Sequence, residues 1–146
     1  DIPSGLRPPL RLNQYRCGDT FGVHVEILDT DGLSVFHLGS ADFWPETVQG
    51  LHCDVLTPCL YGREHHAGYT RELIETLRPR VVLPNHFDDF MRPMDHPIRE
   101  LPGADLAAFR REVIDSGAPC RLVVLDLMGI FRCGTEDESL PPRSWD

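Results

Sequence analysis

Lysine is absent: the 14 basic residues are all arginine, which removes a lysine nucleophile or Schiff-base former from any mechanism. No apolar run approaches the roughly 20 residues a bilayer-spanning helix needs, so the expectation is a cytoplasmic protein with no membrane partner. The five cysteines, Cys17, Cys53, Cys59, Cys120 and Cys133, include no C-x-x-C pair. Neither a zinc ribbon nor a disulfide framework follows from them, and reduced thiols are the simplest account. His-x-His and His-Glu-x-x-His motifs are missing too. Positive charge is in short supply, with a net charge of −9. Because phosphate neutralisation needs clustered basic residues, a nucleic acid is an unlikely main partner.

What is present suits a folded domain. The chain has 146 residues, 41% of them hydrophobic and 25% charged, enough for a core and too apolar for disorder throughout. Seven histidines are many for this length and are the one compositional hint of metal chemistry. We read residues 1–146 as a single, partial domain. Residues 1–20, rich in Pro, Arg and Gly, form an extended lead-in. Residues 21–131 form a sheet-and-helix core, and 132–146 an acidic tail expected to be mobile.

Phe21, Val23, Val25 and Ile27 alternate with Gly22, His24 and Glu26, the period of a half-buried strand. This places His24 on the solvent face. Thr30-Asp31-Gly32 then signals a hairpin, and Leu33 to Leu38 is the return strand. Pro45 suits the first turn of a short helix, and Cys53 to Leu60 reads as a strand. Thr70 is a candidate cap for a helix over 71–78 with Leu73, Ile74 and Leu77 on its apolar side. Val81 to Leu83 is a buried strand ended by Pro84. A helix over 104–116 carries Leu106, Phe109 and Val113 on one face and ends at Gly117. Cys120 to Leu127 is the last strand. The order predicts an α/β layered architecture: a mixed sheet with helices packed on it.

The stretch from Arg80 to Pro93 carries the sharpest chemistry. Just beyond a buried strand come His86, Asp88 and Asp89, suited to a metal ligand with carboxylates that orient it. The plain alternative is a polar loop over tucked aromatics. A second strand end, Gly39-Ser40-Ala41-Asp42, offers a carboxylate. An imidazole and a carboxylate from two loops suit Zn²⁺, with Mn²⁺ possible, but a catalytic zinc normally takes about three protein ligands. His65 and His66 lie in a loop that either meets substrate or is simply solvated. His37 is either a residue supporting the site or a satisfied strand residue. His52 and His96 read as surface residues, and Cys53 and Cys59 as small core residues.

The run from Phe21 to Asp42, then Asp54-Val-Leu, then Leu77 to Phe90, resembles the C-terminal half of metallo-β-lactamase-fold hydrolases, nearest the lactonase-like branch. The resemblance implies one half of an αββα sandwich. It implies a metal-dependent hydrolase in which metal-bound water attacks an ester, lactone, amide or phosphoester of a small molecule. His86 matches the family's last metal-ligand histidine. The bridging aspartate of the family falls on Ser40, and the nearest carboxylate is Asp42. Asp88, Asp89, Ser40 and His37 would support the ligands, and His65 and His66 would face substrate. The remaining ligands and the water-activating aspartate would lie upstream, so no catalytic residue is expected within this chain. Its expected partner is an N-terminal half, on the same or a separate polypeptide, and homo-oligomers are possible. The Ser40 substitution also suggests an alternative: a non-catalytic relative acting as a binding or scaffold protein.

Overall fold

A computed structural model describes residues 21–28 and 32–133. The lead-in 1–20, the turn residues 29–31 and the tail from 134 lie outside the described residues. The chain is α/β: five strands form one mixed sheet in the order β1-β2-β3-β4-β5. β1 (Gly22–Ile27) is antiparallel to β2 (Leu33–Leu38), with Gly22 opposite Leu38 and Ile27 opposite Leu33. β3 (Val55–Thr57), β4 (Val81–Val82) and β5 (Arg121–Leu122) then add in parallel. The expected strands over 53–60 and 120–127 are thus much shorter, although Cys59 still forms an isolated parallel bridge with Asn85.

Each parallel step passes through a helix: α1 (Pro45–Val48), α2 (Tyr69–Leu77) and α3 (Leu106–Asp115). Right-handed crossovers that keep advancing in one direction place every helix on the same face. That face holds the core, where Phe36, Leu38, Leu56 and Val82 of the sheet meet Val48, Leu73, Ile74, Leu77, Phe109 and Val113 of the helices. Burying one such side chain contributes roughly 1.5–3 kcal/mol.

This one-sided cover corrects the reading of the hairpin. His24 pairs with Phe36 in register, so it lies on the helix side, partly buried, and not on a solvent face. The residues expected to be buried instead face outward: Phe21 is 76%, Val23 48%, Val25 48% and Ile27 38% exposed. The outward face continues through Val35 to Val55 and Val81, both of which are buried. Arg121, next in that row, lies over the ring of Phe131.

Helix ends also differ in detail. Gly68, in the left-handed region with φ 80°, caps α2. Thr70 lies inside the helix, and its hydroxyl donates to Glu112 of α3. Asp105 caps α3, accepting from Ala108 N at 2.8 Å, and Gly117 at φ 66° follows its end as expected. Pro45 begins α1 as expected. No helix among the described residues is long and apolar enough to cross a membrane.

Candidate functional site

β2, β3 and β4 run parallel, so their C-terminal ends open on one side of the sheet, where loops of layered α/β proteins converge on sites. One side chain ties these ends together. Asn85, placed just past Pro84, donates from Nδ2 to the Leu38 carbonyl at 3.1 Å and to the Thr57 carbonyl at 2.8 Å. These are the last residues of β2 and β3. The loops after β2 and after β4 therefore meet, although 47 residues separate Leu38 from Asn85.

His86 follows with φ 52°, a left-handed conformation uncommon for a side-chain-bearing residue and most often kept where geometry matters. Its Nδ1 lies 3.4 Å from Cys59 Sγ. Its ring sits between Tyr61 and Phe90, with centroids 5.8 and 6.0 Å away. Burial raises the Cys59 thiol, so it remains protonated and orients the ring without acting as an activated nucleophile. His86 is exposed, and its Nε2 carries no hydrogen bond from the described residues, which leaves that nitrogen for a ligand.

Asp42 is exposed but engaged. Its Oδ1 lies 2.9 Å from His66 Nδ1, and His66 Nε2 lies 2.9 Å from Glu72 Oε2 on α2. The ring stacks on Phe43 at 4.8 Å and meets Tyr69 edge-on at 5.8 Å. Hydrogen bonds to Asp42 first, then to Glu72, raise the His66 imidazole above its ordinary value. The same His66 bond holds the Asp42 carboxyl below the usual range. The arrangement is an imidazolium clamp between two carboxylates that fastens the β2 loop to α2. The Tyr69 hydroxyl lies buried behind it, and burial raises it above the ordinary phenol range.

The other predicted residues are scattered around this centre. Ser40 is half-buried beside Asp42, in a cleft of about 620 Å³ shared with His24, Phe36, Phe43 and Trp44. His37 is exposed on the outward sheet face, with Nδ1 2.7 Å from Thr57 Oγ1. His65 projects into solvent near Glu64. Asp88 bridges to Glu100 through the backbone, and the Asp89 carboxylate accepts from Met91 N at 3.2 Å. The side chain found at the inner nitrogen of His86 is thus Cys59. A larger cleft, about 710 Å³, lies between the start of α2 and α3 and includes Arg63, His66 and Glu112; His86 lines neither cleft. His52 and His96 are exposed, and Cys53 and Cys59 are buried, as expected. Burial pushes the Cys53 thiol up to about 12.

A catalytic zinc centre takes about three protein ligands. Among the described residues no three His, Cys, Asp or Glu side chains converge as a metal-binding group. His86 offers one nitrogen, and Asp42 already serves His66. These donors do not make a complete centre on their own.

Reasoning from sequence missed the roles of Asn85 and Cys59. Only the Pro84-Asn85-His86 order hinted at the first, and no local signal distinguishes the second from a core residue. The chain matches no family model, no curated protein and no solved structure.

Proposed function

We propose that this chain is one half of a metal-dependent hydrolase of the metallo-β-lactamase fold. It contributes His86 to a centre whose other ligands come from an N-terminal half, on the same or a separate polypeptide. The observation that carries the reading is the Asn85 tie, which holds the His86 loop against the end of β2. The exposed apolar side chains of β1 fit a face that awaits a cover. Zinc or manganese, when bound, supplies a water of lowered pKa for attack on a small-molecule ester, lactone, amide or phosphoester. This chain's own part is to aim His86 through Cys59 and to hold the β2 loop through the His66 clamp.

A second reading is a non-catalytic binding or scaffold protein of the same fold. The engagement of Asp42 with His66 favours it, as does Ser40 in the bridging place. Elemental analysis of the metal-loaded protein and of a His86→Ala variant separates the two. Metal in the wild type that is lost in the variant, together with hydrolytic activity, supports the first reading. Unchanged metal in the variant sinks the His86 assignment, and a wild type that takes up neither zinc nor manganese establishes the second.

A further inference from the structure

Beyond His86 the chain makes a long excursion whose two legs are tied together. The Phe87 carbonyl accepts from Leu101 N at 2.8 Å, Asp89 N donates to the Arg99 carbonyl at 2.7 Å, and Asp88 bridges Glu100. Phe87 is buried at the base, and Ile98 and Leu101 pack against the same core. The tip is the opposite: Phe90 is 67%, Met91 80% and Met94 68% exposed. Two turns set its path, closed by Arg92 N on the Asp89 carbonyl at 3.0 Å and His96 N on the Pro93 carbonyl at 3.1 Å. Tyr61 arrives from the end of β3. Cys59 pairs with Asn85 in a parallel bridge, and Leu60 N donates to the Asn85 carbonyl at 3.0 Å, so the next residue comes beside His86. An exposed imidazole thus has the Tyr61 ring at 5.8 Å and the Phe90 ring at 6.0 Å, each tilted by 46°.

Single exposed apolar residues are ordinary. Rings gathered about a polar atom left for a ligand are what small-molecule sites are made of. We propose that Tyr61, His86 and Phe90 form a binding site for an aryl group, with Met91 and Met94 supplying its outer contacts. A planar ring meets these rings edge-on or offset-stacked, gaining attraction that an alkyl group of equal area lacks. Thioethers add to the same preference, because sulfur packs well at a ring edge. The polar group joined to the aryl ring then lies at the His86 edge. The tied legs and fixed turns leave little ordering for the ligand to impose. As the substrate class, an aryl-bearing ester, lactone or amide, the inference rests on the hydrolase reading; as a binding site it needs only the three rings and no metal.

The test titrates the full protein, zinc-free and zinc-loaded, with phenylacetamide and cyclohexylacetamide, two neutral probes of similar size. Binding is followed by carbon-13-labelled methionine methyls. The chain has three methionines, so three signals are expected, each assigned by replacement with leucine. Phenylacetamide should bind about three- to tenfold tighter than cyclohexylacetamide and shift the Met91 or Met94 signal by its ring current. Tyr61→Leu with Phe90→Leu keeps apolar surface but removes both rings, and should bring the two affinities together. Both side chains are exposed, so the double variant should keep its melting temperature. Equal affinity for the two probes in the wild type overturns the proposal. So does a preference that survives the double variant, or phenylacetamide that shifts neither Met91 nor Met94. A protein that takes up no zinc yet prefers phenylacetamide loses the metal reading and keeps this site; one that binds zinc without the preference keeps the metal and loses the site.

Discussion

Arg63 ties the segment before α2 to the start and flank of α3, and its replacement by methionine tests whether this packing depends on one buried cation. The guanidinium is 7% exposed. It donates to the Ala104 and Leu60 carbonyls, to the Asp105 carbonyl at 2.9 Å, and to both oxygens of Glu112 at 3.3 Å. It also lies 5.8 Å from the centre of the Phe109 ring. Methionine keeps the length and the apolar packing but removes every donor. The Leu60 carbonyl keeps the Arg63 backbone N–H at 3.3 Å and the Asp105 carbonyl keeps the Phe109 N–H at 3.0 Å, so the Ala104 carbonyl bears the loss, and a buried acceptor left without a partner costs about 1–3 kcal/mol. Glu112 is 42% exposed, so water recovers most of its loss, and its pairing contributes less than about 1 kcal/mol. The expected total is about 1–3 kcal/mol, a sizeable share of a typical stability of roughly 5–15 kcal/mol. With a urea slope of about 2 kcal/mol per molar, the midpoint should fall by about 0.5–1.5 M. Arg63→Lys should recover little, because a point charge cannot reproduce the guanidinium fork. Glu112→Gln should cost less than about 1 kcal/mol. An Arg63→Met midpoint within about 0.3 M of wild type would refute the reasoning, and so would a Glu112→Gln loss of equal size.

The His66 clamp gives stability a pH dependence. Its folded-state pKa is raised, so its contribution is full below the ordinary imidazole value of about 6.5 and fades as pH rises through the higher folded value. The Asp42 carboxyl is lowered, so its share is present above the ordinary carboxylate range and is lost as pH falls through the lower folded value. Melting curves across both windows should show a decline on each side, and His66→Gln should flatten the alkaline one; an unaltered alkaline slope counts against the clamp. Gly22→Ala places a Cβ 2.7 Å from Phe36 Cζ and should destabilise by about 1–3 kcal/mol, read by urea denaturation; a neutral result would mean that Phe36 moves freely. Among the described thiols, alkylation by iodoacetamide should label exposed Cys133 well before buried Cys53 and Cys59; early loss of Cys59 contradicts its role as a packed partner of His86.

Much of the layered architecture was legible because local rules carry it. The alternation in 21–27, the Leu73, Ile74 and Leu77 stripe, and Pro84 and Gly117 as stops act through periodicity and backbone geometry. Thr70 shows the limit of such reading. Its type favours a cap, yet Gly68 reaches the left-handed region at less cost, and Glu112 on a distant helix claims the hydroxyl. His24 shows another limit. Both faces of the hairpin carry apolar residues, and nothing within residues 21–38 states which face the helices will cover.

The chain's own order of residues determined a hairpin followed by helix-linked strands, and with it an α/β layer bearing a histidine just past the end of a buried strand. These follow from interactions within a few residues of one another. Tertiary structure alone decided three things: that the helices lie against Phe36 and not Val35, that Asp42 is held by His66, and that Cys59 stands at the ring of His86. The handedness of successive crossovers settles the first. The other two join side chains 24 and 27 residues apart, and the sheet brings them together only after it has formed.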